Sequence, residues 1–193
     1  MKLQFITINL LALGLVMAQA QERVEKFDID AAKAKLSGQV AKVPGKFVTK
    51  GIGGDPVKKR FYTKDAVVIT RASGAEEKHP YVAVPLLFRV NSDELLDATS
   101  RENVAKVAQL LKEFGSSRFA IEGHASAEGD AQRNRELSKL RAARIQSLLR
   151  EQEVPPASLA RVDGFGSDHA QFPADAGEPR LQQDRRVLVV KER

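Results

Sequence analysis

Asn134 and Arg141 stand seven residues apart in a segment with helical periodicity, so two turns of helix bring an amide and a guanidinium onto one face. Leu137, four residues before Arg141, points partly the same way. A guanidinium is a planar fork that can bond both oxygens of a carboxylate. Just upstream, His124, Ser126, Glu128 and Asp130 lie in a polar loop that follows the apolar segment Phe119–Ile121 and turns at Gly129. Such a loop sits at the carboxyl end of a strand, where open α/β sheets bind ligands. These groups offer hydrogen bonds and charge to a ligand.

Nothing nearby offers bond-breaking chemistry. The three histidines, His79, His124 and His169, show no metal-ligand spacing such as H-E-x-x-H. There is no G-x-S-x-G elbow and no Gly-rich phosphate cradle before a helix. Glu76-Glu77 falls in a polar turn, and Asp168-His169 in a loop that reads as mobile. With no cysteines, disulfides, thiolate metal sites, a cysteine nucleophile and a lipid-bearing amino-terminal Cys are excluded. The expectation is a non-enzyme with neither cofactor nor metal. The net charge of +6 permits anionic partners. Aromatics make up only 6% and do not interleave with basic residues, so nucleic acid is not an expected partner.

The 193 residues accommodate one ordinary domain plus extras. Lys2, the apolar run Leu3–Met17 and Ala18-Gln19-Ala20 read as a cleavable signal peptide over 1–20. Its apolar core is short for a spanning helix, which needs roughly 20 residues, so no transmembrane span is expected in the mature chain. Residues 21–80 read as a weakly ordered basic linker, punctuated by Pro44-Gly45, Gly53-Gly54 and Pro56. Within it, Asp30–Leu36 suits a short helix capped by Asp28 or Asp30, and Phe61-Tyr62 with Ala66–Thr70 suits a short strand. The basic positions Lys42, Lys46, Lys50, Lys58, Lys59 and Arg60 concentrate there.

The folded domain is expected over 81–193. Tyr81–Val84 with Leu86–Phe88 reads as a first strand, interrupted at Pro85, which has no ladder donor. A helix capped by Ser100 follows to about Phe114, burying Val104, Val107, Ala108, Leu111 and Phe114, with Gly115 as its C-cap. Arg118–Glu122 is the second strand. Asp130 caps a long helix to about Gln152, with Leu137, Ile145, Leu148 and Leu149 inward, stopped by Pro155-Pro156. Leu159–Phe165 and Arg186–Val190 are the remaining strands. The alternation predicts an α/β fold, a two-layer sandwich with two helices packed on one mixed sheet.

The order Gly123-His124, Gly129, Asn134, Leu137-Ser138, Arg141-Ala142 resembles the OmpA-like peptidoglycan-binding domain, whose pattern is G-H-T-D-x-x-G-x-x-x-x-N-x-x-L-S-x-x-R-A. Phe88 with Asn91-Ser92 is similar to its F-x-x-x-S. Leu159 with Gly164-Phe165-Gly166 matches L-x-x-x-G-[YF]-G, and Asp184-Arg185-Arg186-Val187 matches N-R-R-V with Asp for Asn. The resemblance covers roughly 82–190. It implies a β-α-β-α-β fold with an added strand, and a peptidoglycan ligand held by the diaminopimelate residue of the stem peptide.

That side chain ends in an ammonium and a carboxylate on one carbon. The resemblance assigns the carboxylate to Arg141, with Asn134 beside it. It gives Gly123 and Gly129 turn roles needing permissive dihedrals, His124 a loop-shaping role, and Arg185 and Arg186 structural ones. The family's anion, the Asp of G-H-T-D, is Ser126 here. Losing a charge-assisted hydrogen bond costs about 1.5–3 kcal/mol, a ten- to hundred-fold weakening. Glu128, two residues on, is the expected partial replacement. Peptidoglycan binding in the periplasm or outer-membrane-associated envelope is therefore the expected function. The alternative is a degenerate domain joining other envelope proteins as an interaction module.

Overall fold

The computed structural model describes residues 24–38, 41–43 and 56–192. The expected signal peptide lies outside the described residues, as do Lys46 and Lys50 of the basic run. The elements are α1 (Ile29–Leu36), β1 (Ala41–Val43), β2 (Val57–Tyr62), β3 (Ala66–Arg71), β4 (Glu76–Val84), α2 (Ala98–Glu113), β5 (Phe119–Gly123), α3 (Ala131–Glu151), a 3-10 turn at Pro156–Ser158, β6 (Leu159–Gly164), α4 (Glu178–Asp184) and β7 (Val187–Lys191).

The sheet runs β2-β3-β4-β7-β5-β6, with β1 pairing the first half of β4. β7 is antiparallel to both of its neighbours, and β5 and β6 are parallel. The expected sandwich is present: α2 and α3 cover one face. Val104, Val107, Leu110 and Leu111 of α2, and Ala142, Ile145 and Leu149 of α3, meet Val82, Val84, Phe119, Ile121, Val187 and Val189 in one apolar core. These positions follow the helical and strand periods that alternate one face inward. Phe27, Ala32 and Leu36, leading into and along α1, join the same core, and Asp28 caps α1 through the Ala31 amide at 2.9 Å.

Three sequence expectations are corrected here. Residues 57–80 were expected to be weakly ordered, yet β2, β3 and the first half of β4 form a ladder continuous with the sheet. The reason is a second apolar face: Val67 and Ile69 pack on Ala120, Leu188 and Val190, under Tyr62 and Tyr81. Leu86–Phe88 does not continue β4 in the sheet, because pairing with β7 stops at Val84, before Pro85. The segment is instead held against α2, the Pro85 carbonyl accepting from the buried Asn103 amide at 2.9 Å. Ser100 does not cap α2. Asp97 accepts from the Ser100 amide at 2.6 Å, while the Ser100 hydroxyl, fully buried, accepts from the Leu87 amide at 2.9 Å. The second long helix begins as expected, Asp130 accepting from the Arg133 amide at 2.8 Å.

Candidate functional site

The loop after β5 and the first three turns of α3 form one wall of a cleft of about 490 Å³. Ser126, Glu128, Asn134, Leu137 and Arg141 all line it, so the residues singled out by spacing do converge. Phe88 and Val90 come from the opposite loop, and Glu178, Gln182 and Arg185 from α4 and its end. Two contacts set the position of α3. A Cβ on Gly123 would stand 1.9 Å from the Ser138 carbonyl oxygen, and one on Gly164 would stand 2.4 Å from the Lys139 nitrogen. Gly123 therefore serves close approach of helix to strand, not a turn conformation as the sequence reading had it. Gly129 has the φ of +79° expected of a turn glycine.

Arg141 is only 7% exposed. Its Nε donates to the Ser92 carbonyl at 2.9 Å and one terminal nitrogen to the Arg89 carbonyl at 3.4 Å. The guanidinium lies 4.8 Å from the centre of the Phe88 ring. Among the described residues no carboxylate lies within ion-pairing distance of it. Burial, with the nearby Arg185 charge, lowers its pKa to about 10, so it stays charged at neutral pH. A buried cation held only by carbonyl dipoles and a ring face retains the capacity to bind an anion.

The side of the cleft where the loop after β5 meets α4 is built around Arg185. One terminal nitrogen donates to Glu128 at 2.7 Å, the other to Glu178 at 2.9 Å, and Nε reaches the Ser126 hydroxyl at 3.4 Å. Burial lowers the Arg185 pKa, but Glu178 and Glu128 outweigh it and the net shift is upward. Asn134 fixes the loop: its amide donates to the Glu128 carbonyl at 2.6 Å and the Ser126 carbonyl at 3.3 Å. Asn134 thus holds Ser126 and Glu128 where Arg185 meets them. Sequence reasoning missed Glu178, which lies on a helix not expected from the pattern; Glu178-Pro179 after Gly177 was the available signal, since Pro favours the first turn of a helix.

Arg186 stands apart from the cleft's polar set. It meets fully buried Asp184 at 3.3 Å, and Asp184 also accepts from the Gln171 and Phe172 amides at 2.7 and 3.1 Å. Asp in place of the family Asn thus ties the loop before α4 to the start of β7. His124 is 1% exposed and its ring nitrogens have no hydrogen-bond partner among the described residues. It stacks on Phe165 at 5.5 Å and meets Tyr62 edge-on at 5.1 Å. Burial, then the charges of Arg186, His169 and Arg60, lowers its pKa to about 2, so the ring is neutral. Its side chain shapes the loop by packing, and its backbone amide donates to the Arg186 carbonyl at 2.9 Å.

A second polar cluster lies under β2, on the far face of the sheet. Glu122 is fully buried between Arg60, Arg161 at 3.3 Å and the Tyr62 hydroxyl, which donates to it at 2.8 Å. Burial and then the Glu122 charge push the Tyr62 phenol well above its usual range. Arg161 also pairs with Glu192 at 2.5 Å and with Asp163. Among the described residues there is no group of His, Cys, Asp and Glu able to hold a metal ion, and no helix long and apolar enough to cross a membrane.

Comparison with known proteins bears on this site. The outer-membrane lipoprotein YfiB of Pseudomonas aeruginosa is 30% identical over 106 residues, which is 54% of this chain and 61% of that protein. A MotB-like protein from Desulfovibrio vulgaris shares the fold with a TM-score of 0.52 at 19% identity, covering 95% of this chain and 99% of that one. The periplasmic domain of Helicobacter pylori MotB does so at 0.50 and 17%, covering 69% and 87%. The OmpA family model matches residues 87–185, the stretch from Leu87 beside the cleft to Arg185 within it, and the chain belongs to the OmpA family.

Proposed function

We propose that this chain is a non-catalytic cell-envelope protein that binds peptidoglycan, gripping the diaminopimelate residue of the stem peptide in the cleft between α3 and α4. Arg141 takes the carboxylate of that side chain. Glu128 faces its ammonium in part, standing in for the Asp that Ser126 replaces, and Asn134 holds the loop that carries both. One observation carries this reading: Arg141 is a buried guanidinium lining an open cleft, held by carbonyls, with no carboxylate within ion-pairing distance among the described residues and the Asp93 charge only nearby. With residues 1–20 acting as a signal peptide, the protein works in the periplasm, associated with the outer membrane. That fits the outer-membrane address of its Pseudomonas relative.

The test is cosedimentation with purified peptidoglycan sacculi, comparing wild type, Arg141→Ala and Glu128→Ala. Loss of binding in Arg141→Ala and a partial loss in Glu128→Ala are expected. Unchanged binding in Arg141→Ala sinks the assignment. A second reading, an interaction module for other envelope proteins, is favoured by one feature: position 126 has no charge, and Glu128 is already engaged by Arg185. Absence of binding to sacculi by the wild type would select it.

A further inference from the structure

Charge is distributed unevenly across the cleft. On one side stands Arg141, with no acidic partner within ion-pairing distance among the described residues, although the Asp93 charge is felt there. On the other, one arginine serves two acids: Arg185 bonds Glu128 at 2.7 Å and Glu178 at 2.9 Å. Within that group two carboxylates face one guanidinium, a surplus of one negative charge; Asp130 and Arg133, which also line the cleft, are of opposite sign and offset each other. The side chains of both acids are solvent-accessible, 45% and 67% exposed, and both line the cleft. Ser126, in contrast, is 5% exposed, and its hydroxyl meets Arg185. A ligand ammonium approaching position 126 meets a neutral hydroxyl backed by a cation. One approaching Glu128 and Glu178 meets net negative charge.

We infer that the ammonium-recognising group of this protein is the Arg185-bridged pair Glu128 and Glu178, which sets its specificity for a zwitterionic head group. This rests on the proposed peptidoglycan function and goes beyond it by making Glu178, on α4, a specificity-determining residue. Arg185 acts as a positioning residue. It holds the two carboxylates on one side of the cleft, where mutual repulsion would otherwise spread them, and its charge leaves room for one cation and no more. A ligand that carries both charges then spans the cleft from Arg141 to the acid pair.

The experiment measures binding of the folded full chain to sacculi, with two soluble competitors: meso-diaminopimelate, and heptanedioate, which has the same carbon chain and carboxylates but no ammonium. Wild type should be displaced by diaminopimelate at roughly ten-fold lower concentration than by heptanedioate, a gap of the size one charge-assisted hydrogen bond gives. Glu178→Gln should shrink that ratio several-fold, and Glu128→Gln/Glu178→Gln should bring it close to one. Glu178 is exposed, so the single variant should keep the wild-type melting temperature. If Arg141→Ala binds sacculi as wild type does, the parent reading fails. If Arg141→Ala abolishes binding while Glu178→Gln retains the full competitor ratio, only the acid-pair inference is overturned.

Discussion

Glu122 and Arg141 are both buried charges close to the carboxyl end of β5, yet their surroundings differ. Glu122 is enclosed by Arg60, Arg161 and the Tyr62 hydroxyl, so its charge and lone pairs are answered inside the protein. Arg141 is answered by two backbone carbonyls and a phenylalanine ring. The first cluster is complete, and its role is to join β2 to β5 across the far face of the sheet. The second has no carboxylate within ion-pairing distance among the described residues and opens on a cleft. Burial alone therefore does not mark function in this protein. In the proposed function, what singles out Arg141 is that its charge is less fully answered than that of Glu122 and that it lines an open cleft.

The comparison can be broken at its closed end first. Glu122→Ala leaves Arg60 buried without its acid, and breaking such pairs costs about 3 kcal/mol or more. Urea unfolding should show that loss, while the folded fraction keeps its affinity for sacculi. A loss of affinity instead would mean the two clusters are coupled. At the open end, Arg141→Ala should cost about 1.5–3 kcal/mol in binding, a ten- to hundred-fold drop in cosedimentation affinity. Its effect on stability should be the smaller of the two.

His124 sharpens the contrast from between the clusters, because it has no compensation at all. Its pKa is about 2 in the folded protein against an ordinary 6.5. The unfolded chain therefore binds a proton that the folded one refuses. Stability present above pH 6.5 should fall as the pH drops below it, by about 1.4 kcal/mol per unit, or about 2 kcal/mol at pH 5. The His169 pKa is also lowered, chiefly by burial, which adds in the same direction. Denaturant titrations at several pH values should show this slope, and His124→Phe should flatten it. The smallest effect is expected from Ser126→Asp. A carboxylate there pairs first with Arg185, so affinity for sacculi should rise by at most roughly ten-fold. Weaker binding would contradict the proposed orientation of the ligand.

The second half of the fold was legible because local signals and the global fold agree there. Asp130 caps α3, the inward positions of α2 and α3 recur at helical spacing, and the motif residues share one cleft. Before Pro80, Ala66–Thr70 was legible as a short strand, but the start of β2 and the sheet these strands join were not. Val57–Arg60 reads as a basic, exposed run, and what makes it a strand is a distant partner: Arg60 and Tyr62 close on Glu122, and Val67 and Ile69 on Leu188 and Val190. Local pattern carries no record of such contacts. The site divides the same way. Arg141 and Asn134 follow from helical periodicity, but Glu178 joins them only because α4 folds back beside the loop, at a separation of 57 residues between Glu128 and Arg185.

The strand order has a consequence for how the sheet comes together. β7, the last strand among the described residues, lies in the middle of the sheet, between β4 and β5. β4 and β5 pair with it and not with each other, so the ladder that begins at β2 and the pair β5–β6 become one sheet only through a segment that follows both along the chain. Sheet closure is therefore a non-local step, of the kind that slows folding.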